Sequence, residues 1–191
     1  FYRLLQSQEI LDDALRCPGR DGYPCRSLSR VAAAAGVSKR MVLYYFDSRE
    51  TLFVALTQSI GRKLIRQLEE AIAGVQDPSD VVRAGFGKLW EAITSDRALL
   101  IGLFGMTIES VTDERLAEAV GELKDEWRAL LRRQLAEARA HGRRIVVDDD
   151  VAVTVMLSGF LGLAMEWLET GETPELRQTI AGYEQMVANM A

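Results

Sequence analysis

Apolar residues recur along this chain at spacings of three and four positions, the pattern of helices that bury one face. The first such segment contains Leu4, Leu5, Ile10, Leu11, Ala14 and Leu15. Pro18-Gly19 must end this helix, because proline cannot continue it. Ser27 is a suitable N-cap for a short second helix that runs through Ala34.

A tight turn at Gly36 separates the second helix from a third one, for which Ser38 is the predicted N-cap. The third helix is expected over Lys39–Tyr45. Asp47 with Glu50 resembles a capping box, which predicts a longer fourth helix through Leu68.

Helical periodicity continues after a break at the segment GVQDPSD. The predicted elements are a helix containing Val81, Phe86, Leu89, Trp90 and Ile93, an apolar helix Leu99–Ile108, a charged amphipathic helix Leu116–Ala140, an apolar helix Val151–Leu168, and a last helix that begins at Thr173-Pro174 and carries the stripe Leu176, Ile180, Tyr183 and Val187. The sequence therefore predicts an all-α fold.

Charge is distributed unevenly along the chain, although the net charge is only -5. Residues 1–66 hold 11 Lys and Arg against 6 Asp and Glu, whereas residues 67–191 hold 12 against 22. This asymmetry predicts that only the N-terminal part meets a polyanion. The two cysteines are too few for a disulfide framework, which favours a reduced, cytoplasmic protein. The longest uncharged run, Val151–Met165, has 15 residues and is too short to predict a membrane span.

The two short helices and their glycine turn form a helix-turn-helix candidate. Lys39 and Arg40 lie at the start of the third helix, where cationic side chains can reach guanine acceptors in the major groove. Tyr44, Tyr45 and Arg49 can donate hydrogen bonds to phosphates. Spacing alone leaves an alternative open, in which the aromatic residues form a core and the charges a solvated face.

The segment LSRVAAAAGVSKRMVLYYFDSRETL resembles the DNA-binding signature of TetR-type transcriptional regulators. The resemblance extends upstream through ILDDAL and Gly22-Tyr23, so that it covers roughly residues 4–56. It implies a three-helix helix-turn-helix DNA-binding domain in residues 1–50 and a helical ligand-binding and dimerisation domain in residues 51–191.

Positions that contact DNA in this family carry over to the chain residue by residue. The resemblance places Lys39, Arg40 and Met41 at base-reading positions, and Arg26, Ser27, Ser38, Tyr44, Tyr45 and Arg49 at phosphate-contacting positions. It also implies a small core of Leu28, Val31, Ala32, Val37, Val42 and Phe46. Arg40 and Met41 depart from the small residues common there, which predicts an individual operator preference.

The apolar helix Val151–Leu168 and the stripe on the last helix are expected to form a four-helix interface between two subunits. The predicted interface residues are Val155, Ser158, Gly159, Gly162, Leu176, Ile180, Tyr183 and Val187. The alternative is burial of both helices within one subunit.

An apolar effector cavity is predicted in the second domain, although plain core packing is the alternative for each residue. Its candidate lining residues are Phe86, Trp90, Phe104, Met106, Thr107, Glu109, Trp127, Met156 and Phe160. Arg83 is a further polar candidate. Two semi-buried thiols are favoured over a disulfide between Cys17 and Cys25, and one histidine with two cysteines predicts no metal site.

These features favour a homodimeric repressor that binds a palindromic operator in double-stranded DNA and is released by a small hydrophobic or aromatic effector. No catalytic residues, cofactor or membrane partner are expected. An all-α enzyme or carrier using the bundle cavity, and a protein-interaction module using the helix-turn-helix for packing, remain alternatives.

Overall fold

A computed structural model describes residues 9–11, 13, 28–95 and 97–190, with the side chains of residues 98 and 99 excepted. The helices after the first described residues are α1 (Leu28–Ala34), α2 (Lys39–Phe46), α3 (Arg49–Ile72), α4 (Pro78–Thr94), α5 (Arg97–Glu109), α6 (Glu114–Ala140), α7 (Asp149–Thr170) and α8 (Pro174–Met190). The described residues contain no β-strand, so the all-α prediction is confirmed. The predicted first helix lies largely outside them, as do Cys17, Cys25, Arg26 and Ser27.

Side-chain caps explain where several helices begin. Asp77 accepts hydrogen bonds from the amides of Ser79 and Asp80 at the start of α4, where Pro78 occupies the first turn. Thr173 caps α8 by accepting from the Leu176 amide at 3.1 Å, as its sequence predicts. The cap of α3 differs from the prediction, since Ser48 rather than Asp47 accepts the Thr51 amide at 3.1 Å.

The chain divides into two compact units, and the division falls inside helices α3 and α6. The first unit comprises Phe1–Lys63 and Asp96–Leu123, and the second comprises Leu64–Ser95 and Lys124–Ala191. The predicted DNA-binding domain is expected to end at residue 50, and this boundary stays a prediction.

The first unit buries one apolar face of each of its helices. Its buried side chains include Ile10, Leu11, Val31, Val42, Phe46, Leu52, Leu56, Ile60, Leu100, Leu116 and Leu123. Thr57 is a buried polar residue of this unit, and its single hydroxyl proton has two acceptors within reach, the Phe53 carbonyl at 2.9 Å and the Met106 sulfur at 2.7 Å. The hydroxyl therefore does not leave an unsatisfied donor in the core.

The second unit contains two apolar clusters on α7. Leu135, Ala152 and Val153 form one cluster, and Phe86, Leu163 and Leu176 form the other. Exposed ion pairs also join its helices. Arg132 contacts Asp150 at 2.6 Å, Arg139 contacts Asp149 at 2.5 Å, and Arg133 contacts Glu69 at 2.8 Å. Since such exposed pairs contribute little, burial of the two clusters is the main source of stability here.

We predict that Gly61→Ala destabilises the first unit. A β-carbon at Gly61 would lie 2.8 Å from Cγ of the buried Leu123, so the core must shift. Such overpacking costs about 1–3 kcal/mol, against a gain of about 1 kcal/mol in helix propensity. Gly121→Ala is the matched control, because a β-carbon there meets nothing within 4 Å. Urea denaturation should show a lower stability for the first variant only; equal or higher stability of both would contradict this packing.

Candidate functional site

The turn between α1 and α2 is built by Gly36 and Ser38. Gly36 has a φ of +63°, which glycine adopts without the strain that a β-carbon would introduce. The Val37 amide donates to the Ala32 carbonyl at 2.9 Å, and the Ser38 hydroxyl accepts from the Met41 amide at 3.1 Å. These contacts fix the start of α2 next to the end of α1.

Helix α2 has one buried face and one exposed face. Val42 is fully buried and Phe46 is 5% exposed, so this side of the helix is held in the core. All three predicted base-reading residues, Lys39, Arg40 and Met41, are exposed in the first turn of the helix. The structure therefore brings them together at the solvent-facing start of α2, which is the geometry that major-groove reading requires.

The described residues among the predicted phosphate contacts lie just before α2, within it and just after it in the sequence. Ser38 and Arg49 are exposed, Tyr44 is 60% exposed, and Tyr45 is half-buried. The Tyr44 and Tyr45 rings pack edge to face with their centroids 5.2 Å apart. The Arg49 guanidinium lies 4.9 Å from the centre of the Phe53 ring, which orients it by a cation–π contact.

Of the predicted small core, Val31 and Ala32 are buried with Val42 and Phe46, while Leu28 and Val37 are half-buried.

A γ-turn that sequence patterning missed joins α2 to α3. Asp47 has a φ of 57° and a ψ of -42°, and the Ser48 amide donates to the Phe46 carbonyl at 2.6 Å. The pKa of Glu50 lies below its ordinary value because its own backbone amide and the Ser48 hydroxyl donate hydrogen bonds to its carboxylate. No sequence signal distinguishes this turn from the capping box that Asp47 and Glu50 resemble.

The aromatic pocket candidates of the second unit form a packed cluster. The Phe86 ring stacks on Trp90 with centroids 5.8 Å apart and meets Phe160 edge to face at 5.3 Å. The Tyr183 ring lies 5.7 Å from Phe86, and its hydroxyl donates to the carbonyl of Met156. Burial raises the pKa of Tyr183 to about 12, so the phenol remains a protonated donor at neutral pH. Trp127, also predicted here, is half-buried on α6.

The other pocket candidates belong to the first unit. Met106 is buried, and its sulfur is one of the two acceptors within reach of the Thr57 hydroxyl. Thr107 is half-buried, and its hydroxyl donates to the Leu103 carbonyl at 2.9 Å. Phe104 and Glu109 are half-buried. Arg83, in the second unit, is exposed and pairs with Asp80.

The described part of the chain contains no group of three or more His, Cys, Asp or Glu positioned for a metal ion.

The predicted dimer-interface residues occupy two different environments. Val155, Ser158 and Gly162 are exposed on α7, as an interface between subunits requires. Leu176 and Val187 are each only 4% exposed, so within a single chain they are core residues, which corrects their assignment to the interface. Helical periodicity could not separate these cases, because both kinds of burial produce the same stripe.

Gly159, Ile180 and Tyr183 lie between these extremes and are half-buried. A β-carbon at Gly159 would lie 3.0 Å from Cζ of Tyr183, so this glycine allows the tyrosine ring to pack inside its own chain. The exposed large apolar residues on the two C-terminal helices are Val151, Val155, Leu161 and Met186. Helix α7 is also the one described helix that is long and apolar enough to cross a membrane, a test that core helices of soluble proteins pass as well.

Comparison with known proteins gives a family match for the N-terminal segment. Residues 10–56 match the family model described as bacterial regulatory proteins, tetR family. The nicotine-responsive transcriptional repressor HdnoR of Paenarthrobacter nicotinovorans is 25% identical over 101 residues, which are 53% of this chain and 52% of that protein. The chain thus spans about half the length of this relative.

Solved structures match nearly the whole chain in fold. A TetR transcription regulator from Haloarcula marismortui superposes with a TM-score of 0.82 at 18% identity, covering 96% of this chain and 97% of that one. The regulator FadR of Bacillus subtilis, solved in complex with stearoyl-CoA, gives a TM-score of 0.77 at 17% identity and covers 96% and 98%. At these identities the likeness concerns the fold.

We predict that Ser38→Ala weakens the helix-turn-helix by removing the cap of α2. The Met41 amide would lose its side-chain partner and keep only the Ser38 carbonyl at 2.9 Å, and loss of an N-cap costs about 1 kcal/mol. Ser38→Asn is the matched control, since asparagine also caps helices. Chemical denaturation should show reduced stability for the alanine variant alone, and an unchanged alanine variant would contradict the capping role.

Proposed function

We propose that this chain, which is a member of the TetR family of bacterial regulatory proteins, binds a specific DNA sequence and regulates transcription. The observation that carries the proposal is the orientation of α2. Burial of Val42 and Phe46 holds the helix against the core, while Lys39, Arg40 and Met41 are all exposed in its first turn. A helix held in this way can enter the major groove, where its first residues reach base edges.

Charge supports the same function. Lys39 and Arg40 are cations on the exposed face, and Arg49 lies at the start of α3 within the same unit. The excess of basic residues is confined to the N-terminal third of an otherwise acidic chain. Phosphate binding at one end would therefore be favoured, while the remainder would be repelled by a polyanion.

We further propose that two copies associate through the outer faces of α7 and α8. The exposed face of α7 carries Val155, Ser158 and Gly162, and that of α8 carries Gly182 and Met186. β-Carbons at Gly162 and Gly182 would meet nothing within 4 Å, so both positions are open to a partner. Small residues between larger apolar ones let helices approach closely, and a two-fold dimer suits a palindromic operator.

A small hydrophobic or aromatic molecule is the proposed effector, and its binding would release the protein from DNA. The support is the aromatic cluster of the second unit, where Phe86, Trp90 and Phe160 pack together. The names of two similar proteins refer to nicotine and to stearoyl-CoA, both of which contain apolar parts. Release of DNA would follow if the effector favoured a conformation of the dimer in which its two α2 helices have a different spacing.

We predict that Arg40→Ala weakens binding to the operator by about 1–3 kcal/mol and relaxes the preference at one base pair, if the guanidinium reads a guanine. Binding is measured by fluorescence anisotropy on duplexes from the region upstream of the protein's own gene. Arg144→Ala removes the same charge from an exposed loop residue and is the control. A uniform loss on all sequences would instead make Arg40 a phosphate contact.

The dimer proposal predicts that Val155→Lys yields monomers at micromolar concentration in sedimentation. Burying a lysine without a counter-charge at a two-fold interface costs more than a dimer of ordinary affinity can offset. Val146→Lys introduces the same residue at a position that is 79% exposed in the loop before α7, and it should leave the dimer intact. A monomeric wild-type protein would exclude the proposed interface.

A further inference from the structure

Asp47 has a backbone conformation that favours glycine. Among the described residues it is the one non-glycine residue with a positive φ, and it forms the centre of the γ-turn closed by Ser48 and Phe46. A γ-turn of this hand is rare and strained for residues with a β-carbon. Local backbone geometry therefore gives no reason for an aspartate at this position, since glycine would adopt it at lower cost.

The carboxylate of Asp47 also has no structural role within the described part of the chain. It is exposed, and no hydrogen bond or ion pair to its side chain occurs there. The cap of α3 is provided by Ser48, whose hydroxyl accepts from the Thr51 amide. Asp47 is the C-cap of α2 only through its backbone amide, which donates to the Leu43 carbonyl at 2.8 Å, and its carboxylate neither caps a helix nor pairs with a cation among the described residues.

Its position does have an electrostatic consequence. Asp47 follows directly after α2 and lies two residues before Arg49 and three after Tyr44, which are the proposed phosphate contacts. DNA bound by these residues would bring phosphates close to the carboxylate. At a separation of about 7 Å in water, two like charges weaken binding by roughly threefold.

We propose that Asp47 limits the affinity of this surface for DNA by repelling the phosphate backbone. The proposal rests on the DNA-binding function proposed above. Because every duplex presents phosphates, the repulsion acts equally on operator and unrelated DNA, and it leaves base discrimination to Lys39, Arg40 and Met41. Its effect is a lower occupancy of operator and non-specific sites alike at any given protein concentration.

The test compares Asp47→Asn and Asp47→Gly with the wild type. Asparagine keeps the size of the side chain and tolerates a positive φ, whereas glycine also removes the strain. Glu126→Gln is the control, since it neutralises another exposed acid on α6. Dissociation constants are measured on a duplex from upstream of the protein's own gene and on a shuffled duplex, at several salt concentrations.

Both Asp47 variants should bind both duplexes about threefold more tightly per subunit, with a gain that shrinks as salt increases, and Glu126→Gln should match the wild type. The proposal is overturned if the Asp47 variants bind like Glu126→Gln, or if only the glycine variant gains affinity, which would assign the effect to the backbone. If the wild type binds neither duplex, the proposed DNA-binding function itself fails. If the wild type binds DNA and Asp47→Asn binds no more tightly, only the proposed role of Asp47 is rejected, and the DNA-binding function stands.

Discussion

Burial of Val42 and Phe46 is the constraint on which the proposed DNA-binding surface depends. These two side chains occupy the inner face of α2, so the helix can present only its other face to solvent. Lys39, Arg40 and Met41 are exposed in the first turn of this helix, and the Ser38 cap fixes where the helix begins. Specific recognition needs side chains held in a defined orientation, and apolar packing supplies that orientation more firmly than exposed polar contacts can.

Much of this arrangement could be predicted from the sequence, because the determining signals are local. A glycine turn, a serine cap and apolar residues at helical spacing are sufficient to place α1, α2 and their exposed residues. The γ-turn at Asp47 could not be predicted in this way. Aspartate is an ordinary N-cap residue, and only the backbone shows that Ser48 takes that role. The distinction matters because it leaves the Asp47 carboxylate exposed beside the proposed phosphate contacts.

The C-terminal helices show a different limit of sequence reasoning. Apolar periodicity on α8 correctly indicates burial of Leu176 and Val187, but it does not say whether the covering residues belong to the same chain. Tertiary packing decides that Phe86 and Leu163 cover Leu176. The exposed stripe with Val155, Ser158 and Gly162 is then the part of the predicted interface that remains available to a second copy. The aromatic pocket candidates of the second unit are observed to pack against one another. That they form an effector site is a proposal.

Footprinting on the region upstream of the protein's own gene tests the central claim most directly. If α2 reads the major groove from a two-fold dimer, the protein should protect two related half-sites whose centres lie about one helical turn, or a multiple of it, apart. Protection should disappear steeply as salt increases. Uniform weak protection without half-sites, or none at low salt, would contradict sequence-specific DNA binding by this chain.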